Sequence, residues 1–138
     1  MVDADFEKPV PSPTPWSIPF WQAAKEERFL LKHCVDCGHI DHPPYPTCTE
    51  CGSDAYEWRE ASGKATLMAY AVNSYGVSAP FVEDLPYVLV IVRLAEGPRM
   101  ISNLVGVDQG DIENGMELEV CFEVLNDEFT LPKWTRAT

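Results

Sequence analysis

Four cysteines in the first half of the chain, Cys34, Cys37, Cys48 and Cys51, are the residues whose type and spacing carry chemistry. They form two copies of one device, Cys34-Val-Asp-Cys37-Gly38 and Cys48-Thr-Glu-Cys51-Gly52, separated by ten residues. A C-x-x-C turn lets both of its thiolates reach the same ion. The glycine that follows can take a left-handed backbone and bring N–H groups toward the sulfurs. Four thiolates in tetrahedral array suit one Zn²⁺ and leave no open coordination position. The expected site is therefore structural, and its binding energy is folding energy.

Iron is the competing ion, because rubredoxins also use two C-x-x-C-G turns, though with a longer separation between them. Cys121 lies mid-strand between Val120 and Phe122 and reads as an inert β-strand thiol. His33, His39 and His42 surround the ribbon, but four cysteines already complete the ligand shell, so these rings are expected at the surface or behind the ligands. Pro43-Pro44-Tyr45-Pro46 stiffens the middle loop, either to set its shape or to offer an apolar ridge to a partner. There is no Ser-His-Asp order in a plausible setting, no Gly-rich phosphate loop and no paired carboxylates beside a histidine. A closed zinc site cannot activate water, so no catalytic residue is assigned.

Length and charge limit what surrounds this site. The chain has 138 residues, room for one ordinary domain or two very small ones. A module of about 35 residues cannot offset its chain entropy without a metal or disulfides. The net charge is −12, with −6 in residues 1–61 and −6 in residues 62–138. Nucleic acid requires a cationic footprint, and none is visible, so a nucleic-acid-binding module is the weaker alternative reading. No apolar run approaches the roughly 18 residues of a membrane span, and the start of the chain is acidic and Pro-rich without a signal pattern. A cytoplasmic setting is expected, in which clustered cysteines mean metal more often than disulfides.

Residues 1–15 hold four of the twelve prolines and read as an extended arm. Ser17 is placed to cap a short helix reaching Arg28, with Phe20, Trp21 and Ala24 along one stripe. That stripe either packs on the chain or docks a partner. The ribbon follows to about Ala61, with strands at 29–33 and around Tyr56 and Trp58, and Ser62-Gly63 marks the seam. The remainder is all-β. A long bent strand covers 65–75, Gly76 to Pro80 breaks it, and 81–86 form a loop. Residues 87–94 are apolar except Arg93 and read as a central strand. A hairpin leads into 99–104, and 106–115 form a polar connection with room for one helical turn. Leu118, Val120, Phe122 and Val124 share one face of the next strand, and 129–134 close the set. Five such strands predict a small OB-type barrel, with a β-sandwich as alternative. The fold class is mainly β: 1–15 extended arm, 16–61 helix plus rubredoxin-like zinc ribbon, and 62–138 five-stranded OB-fold barrel.

The motif series extends beyond the cysteines. Pro19-Phe20-Trp21, Cys34-x-x-Cys37-Gly38, Pro43-Pro44, Cys48-x-x-Cys51-Gly52-Ser53 and Trp58 make one half. Ser62-Gly63, Pro86-Tyr87-Val88, Glu96-Gly97-Pro98-Arg99, Asn103-Leu104-Val105-Gly106 and Gly115-Met116 make the other. Over residues 16–135 the chain resembles the zinc-ribbon/OB-fold proteins of domain-of-unknown-function family thirty-five. Thr49 stands where that family commonly has proline, which leaves the ligands untouched. The resemblance implies an obligate, non-catalytic partner of a thiolase-like enzyme that handles acyl-coenzyme A: an acyltransferase, a hydratase or an aldolase of bacterial steroid side-chain breakdown. A two-plus-two heteromer is the expected assembly. On this reading Phe20, Trp21, Pro80, Phe81 and Tyr87 are candidate partner contacts. Lys64 and Arg99, with Arg93, are candidate contacts to the phosphates of coenzyme A. An iron electron-transfer protein is the remaining alternative.

Overall fold

The computed structural model describes residues 7–138. Helix α1 spans Ile18–Lys25, and the ribbon strands are β1 Leu30–Cys34, β2 Ile40–Asp41 and β3 Tyr56–Glu60. The remaining strands are β4 Lys64–Asn73, β5 Tyr87–Leu94, β6 Arg99–Leu104, β7 Glu117–Val124 and β8 Thr130–Arg136. Of the expected extended arm, residues 1–6 lie outside the described residues, and 7–14 carry neither helix nor strand.

Helix α1 stops three residues short of the predicted end. The Arg28 N–H donates to the Ala23 carbonyl and the Glu27 N–H to the Ala24 carbonyl, both at 2.9 Å, with Glu27 left-handed at φ 60°. This pair of bonds satisfies carbonyls that the last turn leaves open and turns the chain out of the helix. Ser17 precedes the helix, but its hydroxyl turns back to the arm and donates to the Thr14 carbonyl at 3.1 Å.

The ribbon sheet has the order β2-β1-β3, all antiparallel. Its central strand carries Lys32, which is buried. The ammonium lies 3.6 Å from the centre of the Tyr56 ring and donates to the Tyr45 carbonyl. One cation thus ties the proline-rich middle loop to the sheet.

The other five strands close into a barrel in the order β4-β5-β6-β8-β7, with β7 pairing back onto β4. β6 and β8 form the one parallel pair, in register at Leu104 and Trp134. β4 can serve both neighbours because its register with β5 shifts between Leu67 and Ala69, which bends it. The seam between ribbon and barrel needs its glycine. Gly63 has φ +77°, and a Cβ there would stand 2.9 Å from Cγ1 of Val120.

One apolar cluster runs through both modules. Leu67, Val90, Val92, Leu118 and Trp134 fill the barrel, and Phe20, Phe29 and Leu31 continue the same cluster beneath the helix and ribbon. Trp134 is fully buried and meets the edge of Phe29 at a centroid distance of 6.0 Å.

Two strands depart from their sequence reading. β5 was expected to be central from its continuous apolar run, and it does lie between β4 and β6. Burial nevertheless alternates along it: Val88, Val90, Val92 and Leu94 point in, while Leu89 and Ile91 are 41% and 37% exposed. Closing the sheet puts one face of every strand outside, whatever its side chains. On β7 the apolar face starts buried at Leu118 but ends with Val124 72% exposed, because the strand runs past the barrel's end.

Candidate metal centre

The two cysteine turns fold as near copies. The Cys34 N–H donates to the His39 carbonyl at 2.8 Å and the Gly38 N–H to the Cys34 carbonyl at 3.0 Å. In the second turn the Cys48 N–H donates to Ser53 at 2.8 Å and the Gly52 N–H to Cys48 at 2.9 Å. Gly38 and Gly52 are left-handed, at φ 79° and 77°. That conformation aims the following amides inward: the His39 N–H reaches the sulfur of Cys37, and the Ser53 N–H that of Cys51.

The four Sγ atoms all lie within 4.8 Å of one another. Cys34 and Cys51 are 3.6 Å apart at sulfur, and Cys37 and Cys48 3.5 Å. A tetrahedral zinc centre with bonds of about 2.3 Å requires sulfur–sulfur edges of roughly 3.8 Å. The residues therefore fit one Zn²⁺, with Cys34 and Cys48 on the buried side and Cys37 and Cys51 on the exposed side. Electrostatics agree with a cation there. The Cys37 amide holds the Cys34 thiol down to about 7. At Cys37 the His39 amide pulls the thiol down, but partial desolvation together with the neighbouring thiols of Cys48, Cys51 and Cys34 outweighs it and pushes it up to about 12. One thiolate forms readily in this cluster and the next resists; a divalent ion removes that resistance. Zinc with four thiolates supplies structural cross-linking and no open position for substrate.

Two polar links, both missed from sequence, lock the turns together. Asp41 on β2 is buried; its Oδ1 accepts from the Thr49 hydroxyl and its Oδ2, at 3.3 Å, from the Thr49 N–H, while His39 Nε2 lies 3.3 Å from the same Oδ1. Ser53 donates to Asp36. The Ser53–Asp36 link joins one cysteine turn to the other, and the Asp41–Thr49 contacts tie the second turn to β2. Thr49 in place of the commoner proline supplies both donors to Asp41, which only the folded pairing reveals.

The three histidines separate in the structure. His39 joins the link to Asp41, and His33 stands on β1. His42 is packed against Phe20 and Phe29, with ring centroids 5.6 and 6.1 Å away, and burial drops it to about 4. The folded state thus holds His42 neutral, while the unfolded chain takes up a proton near pH 6.5. Stability is full above that pH and falls as pH drops toward 4. Between pH 7 and pH 5 this group alone is expected to cost about 2 kcal/mol. Urea unfolding with excess zinc at both pH values checks this, because His42→Phe should lose that increment while retaining the loss caused by thiolate protonation.

The candidate partner contacts fall at different depths. Phe20 is 5% exposed, so it contributes packing within the chain and has almost no surface to offer. Trp21 is half-buried and meets Phe129 edge-on at 5.8 Å. Pro80, Phe81 and Tyr87 are half-buried, and the last two line a cavity of about 840 Å³ at the barrel mouth. The arm crosses this cavity, fastened by Lys8 to Asp84 at 2.7 Å. Lys64 is paired with Glu119 at 3.3 Å, and its strand is separated from that of Arg99 by β5, so the structure does not join them into one cationic site. Cys121 is half-buried, and burial followed by Glu123 pushes its thiol up, which leaves it unreactive.

A four-cysteine ribbon capping a closed barrel through one helix defines a zinc-ribbon/OB-fold protein. Residues 21–57 match the family described as ChsH2, rubredoxin-like zinc ribbon domain, and residues 58–123 match ChsH2, C-terminal OB-fold domain. A DUF35 domain-containing scaffold protein of Pyrococcus furiosus is 32% identical over 101 residues, covering 73% of this chain and 74% of that protein. The chain belongs to the DUF35 family. A probable enoyl-CoA hydratase alpha subunit of Thermomonospora curvata is 37% identical over 114 residues, 82% of this chain. The chain spans only 35% of that relative's length. A solved chain of the Ltp2-ChsH2(DUF35) aldolase superposes with a TM-score of 0.85 at 32% identity, covering 94% of this chain and all of that one.

Proposed function

We propose that this chain is a non-catalytic subunit that supports a thiolase-fold enzyme acting on acyl-CoA thioesters, most specifically a carbon–carbon lyase shortening a steroid side chain. The observation that carries the reading is its whole-length likeness to the DUF35 chain of an aldolase complex. The relative named as a hydratase alpha subunit supports an acyl-CoA setting, and the scaffold names support a role without chemistry of its own. A metal centre closed by four thiolates points the same way, because it has no position for a substrate or a reactive water. Zinc fixes the ribbon, and the ribbon and α1 pack as one body on the barrel. That body docks on the enzyme and shapes the entrance to its active site. The assembly is a two-plus-two heteromer in the cytoplasm, the usual thiolase-type dimer carrying one scaffold on each subunit.

The test is co-expression with a candidate thiolase-like lyase from the same genome. The complex would be weighed by light scattering, and carbon–carbon cleavage assayed with and without this chain. A stable heteromer whose activity requires the chain is the expected result. Two proteins that elute apart, with the enzyme fully active alone, would refute the proposal.

A further inference from the structure

The outside of the barrel carries a surface that its fold does not need. Across β4, β5 and β6 the outward residues align in rows. Thr66, Arg93 and Arg99 share one row, and Ala69, Ile91 and Ile101 the next. Ile101 is 68% exposed in the middle of its strand, and Leu89 and Ile91 extend the apolar field. A solvated outer face of an antiparallel sheet ordinarily alternates to polar residues, so three aliphatic side chains together there are unusual.

The arginines add a second, independent observation. Arg93 and Arg99 stand directly opposite each other, both exposed, and like charges in that register repel. Among the described residues neither makes an ion pair; Arg93 only donates to the Gly97 carbonyl at 3.4 Å. The nearest carboxylate in register, Glu117, lies beyond Thr66 on the next strand. Yet the chain as a whole carries −12, with 22 acidic residues available. Two unpaired cations side by side on such a chain leave room for carboxylates from elsewhere.

Ile101 also opens onto a groove. β6 and β8 share a single register pair, at Leu104 and Trp134, so the two strands part beyond it, bridged by Ser102 donating to the Pro132 carbonyl at 2.8 Å. The gap is a groove of about 490 Å³ between the barrel and the ribbon, with Trp21, Pro43, Pro44 and Ile101 among its walls. An apolar anchor seated there would rest on rigid rings while its flanks reach the arginines.

We propose that the outer face of β5 and β6, with this groove, is where the partner protein subunit docks, and that the docking segment presents an apolar side chain flanked by carboxylates. The inference rests on the scaffold reading above and adds to it the surface and the chemistry of its occupant. Aromatic and arginine side chains around an apolar centre are the composition that dominates binding energy at protein interfaces. The paired charges would act mainly on association rate and register.

The experiment measures the dissociation constant between purified wild-type chain and the thiolase-like lyase, over a range of salt. It is repeated for Ile101→Asp, for Arg93→Glu/Arg99→Glu, and for Val124→Asp as a control that is 72% exposed at the far end of β7. Each variant is first checked for zinc content and its thermal transition, which substitutions at exposed positions should preserve. Ile101→Asp and the double arginine variant are expected to weaken binding by about 30-fold or more, with Val124→Asp unchanged. The double variant should also lose the weakening with salt that the wild type shows. If the wild type binds but Ile101→Asp and the double variant bind equally well, this surface is not the dock, although the scaffold reading survives. If the wild type does not bind at all, the scaffold reading itself fails. A single-stranded oligonucleotide shifted by the wild type and released by the double variant would overturn the proposal in favour of nucleic acid. Undiminished subunit binding with lost acyl-CoA affinity in the double variant would overturn it in favour of coenzyme A phosphates.

Discussion

Cys34→Ser and Cys51→Ser are each expected to abolish zinc binding, with the metal content falling from about one ion per chain to less than about a tenth. The two sulfurs lie 3.6 Å apart but come from different turns, so removing either leaves three thiolates and splits one cross-link between them. The ribbon sheet has only three strands, one of them two residues long, and buries too little to persist alone. Its strand β1 and the residue before it deliver Phe29 and Leu31 into the cluster they share with the barrel. Loss of the ion should therefore loosen the cover over that cluster as well as the ribbon. Under the scaffold role proposed above, the lyase's activity should fall with it, although none of the four cysteines is assigned a part in catalysis. Metal analysis of the purified variants, followed by the cleavage assay with each added to the lyase, checks both steps. Full zinc content in both variants would contradict the four-thiolate assignment. Because Cys34 is buried and Cys51 exposed, Cys34→Ser should also be the less soluble of the two.

The second large effect is in the barrel. Trp134→Ala is expected to destabilise the chain by about 3–5 kcal/mol, enough to unfold a domain of this size under mild denaturant. Trp134 has no exposed surface and sits where β8 meets both neighbours, opposite Val120 of β7 and Leu104 of β6. Its truncation opens a cavity at the only register pair that holds the parallel strands together, and takes the packing surface from Phe29. Trp134→Phe should cost far less. The indole Nε1 is buried without a hydrogen-bond partner among the described residues, so replacing the indole with a phenyl ring removes an uncompensated polar group along with some volume. Chemical denaturation of the two variants, with zinc present, separates loss of packing from loss of the donor. Equal destabilisation by Phe and Ala would show that the site needs the full indole shape, so that a phenyl ring packs there no better than a methyl group.

The zinc ligands were legible because a tetrahedral thiolate site is a local device. Each C-x-x-C-Gly turn brings two sulfurs together by its own backbone, and only one long-range pairing remains to be made. The barrel's strands were legible for a related reason. Turn residues such as Ser62-Gly63 and Glu96-Gly97-Pro98 punctuate runs with a period of two, and the observed β6 is the predicted segment. The links behind the ligands were not. Asp41 and Thr49 lie eight residues apart on segments that read as loop, and nothing in their spacing announces a contact. The helix end was missed because its stop depends on a left-handed glutamate, Glu27, where a glycine would have signalled it.

The sequence by itself determined a four-thiolate metal site and its ligands, the order of helix, ribbon and five strands, and a charge that disfavours polyanions. These properties depend on residue type and short spacing, which the chain carries wherever it goes. The tertiary structure decided which side of each strand faces out. An unbroken apolar run such as 87–92 has no preferred face until the barrel closes, and closure then leaves Leu89 and Ile91 in solvent beside Ile101. It also decided that Phe20 is core and that Arg93 stands against Arg99. The first follows from packing of the shared cluster by segments far apart in the chain, and the second from the register that the turn at residues 95–98 gives its two strands.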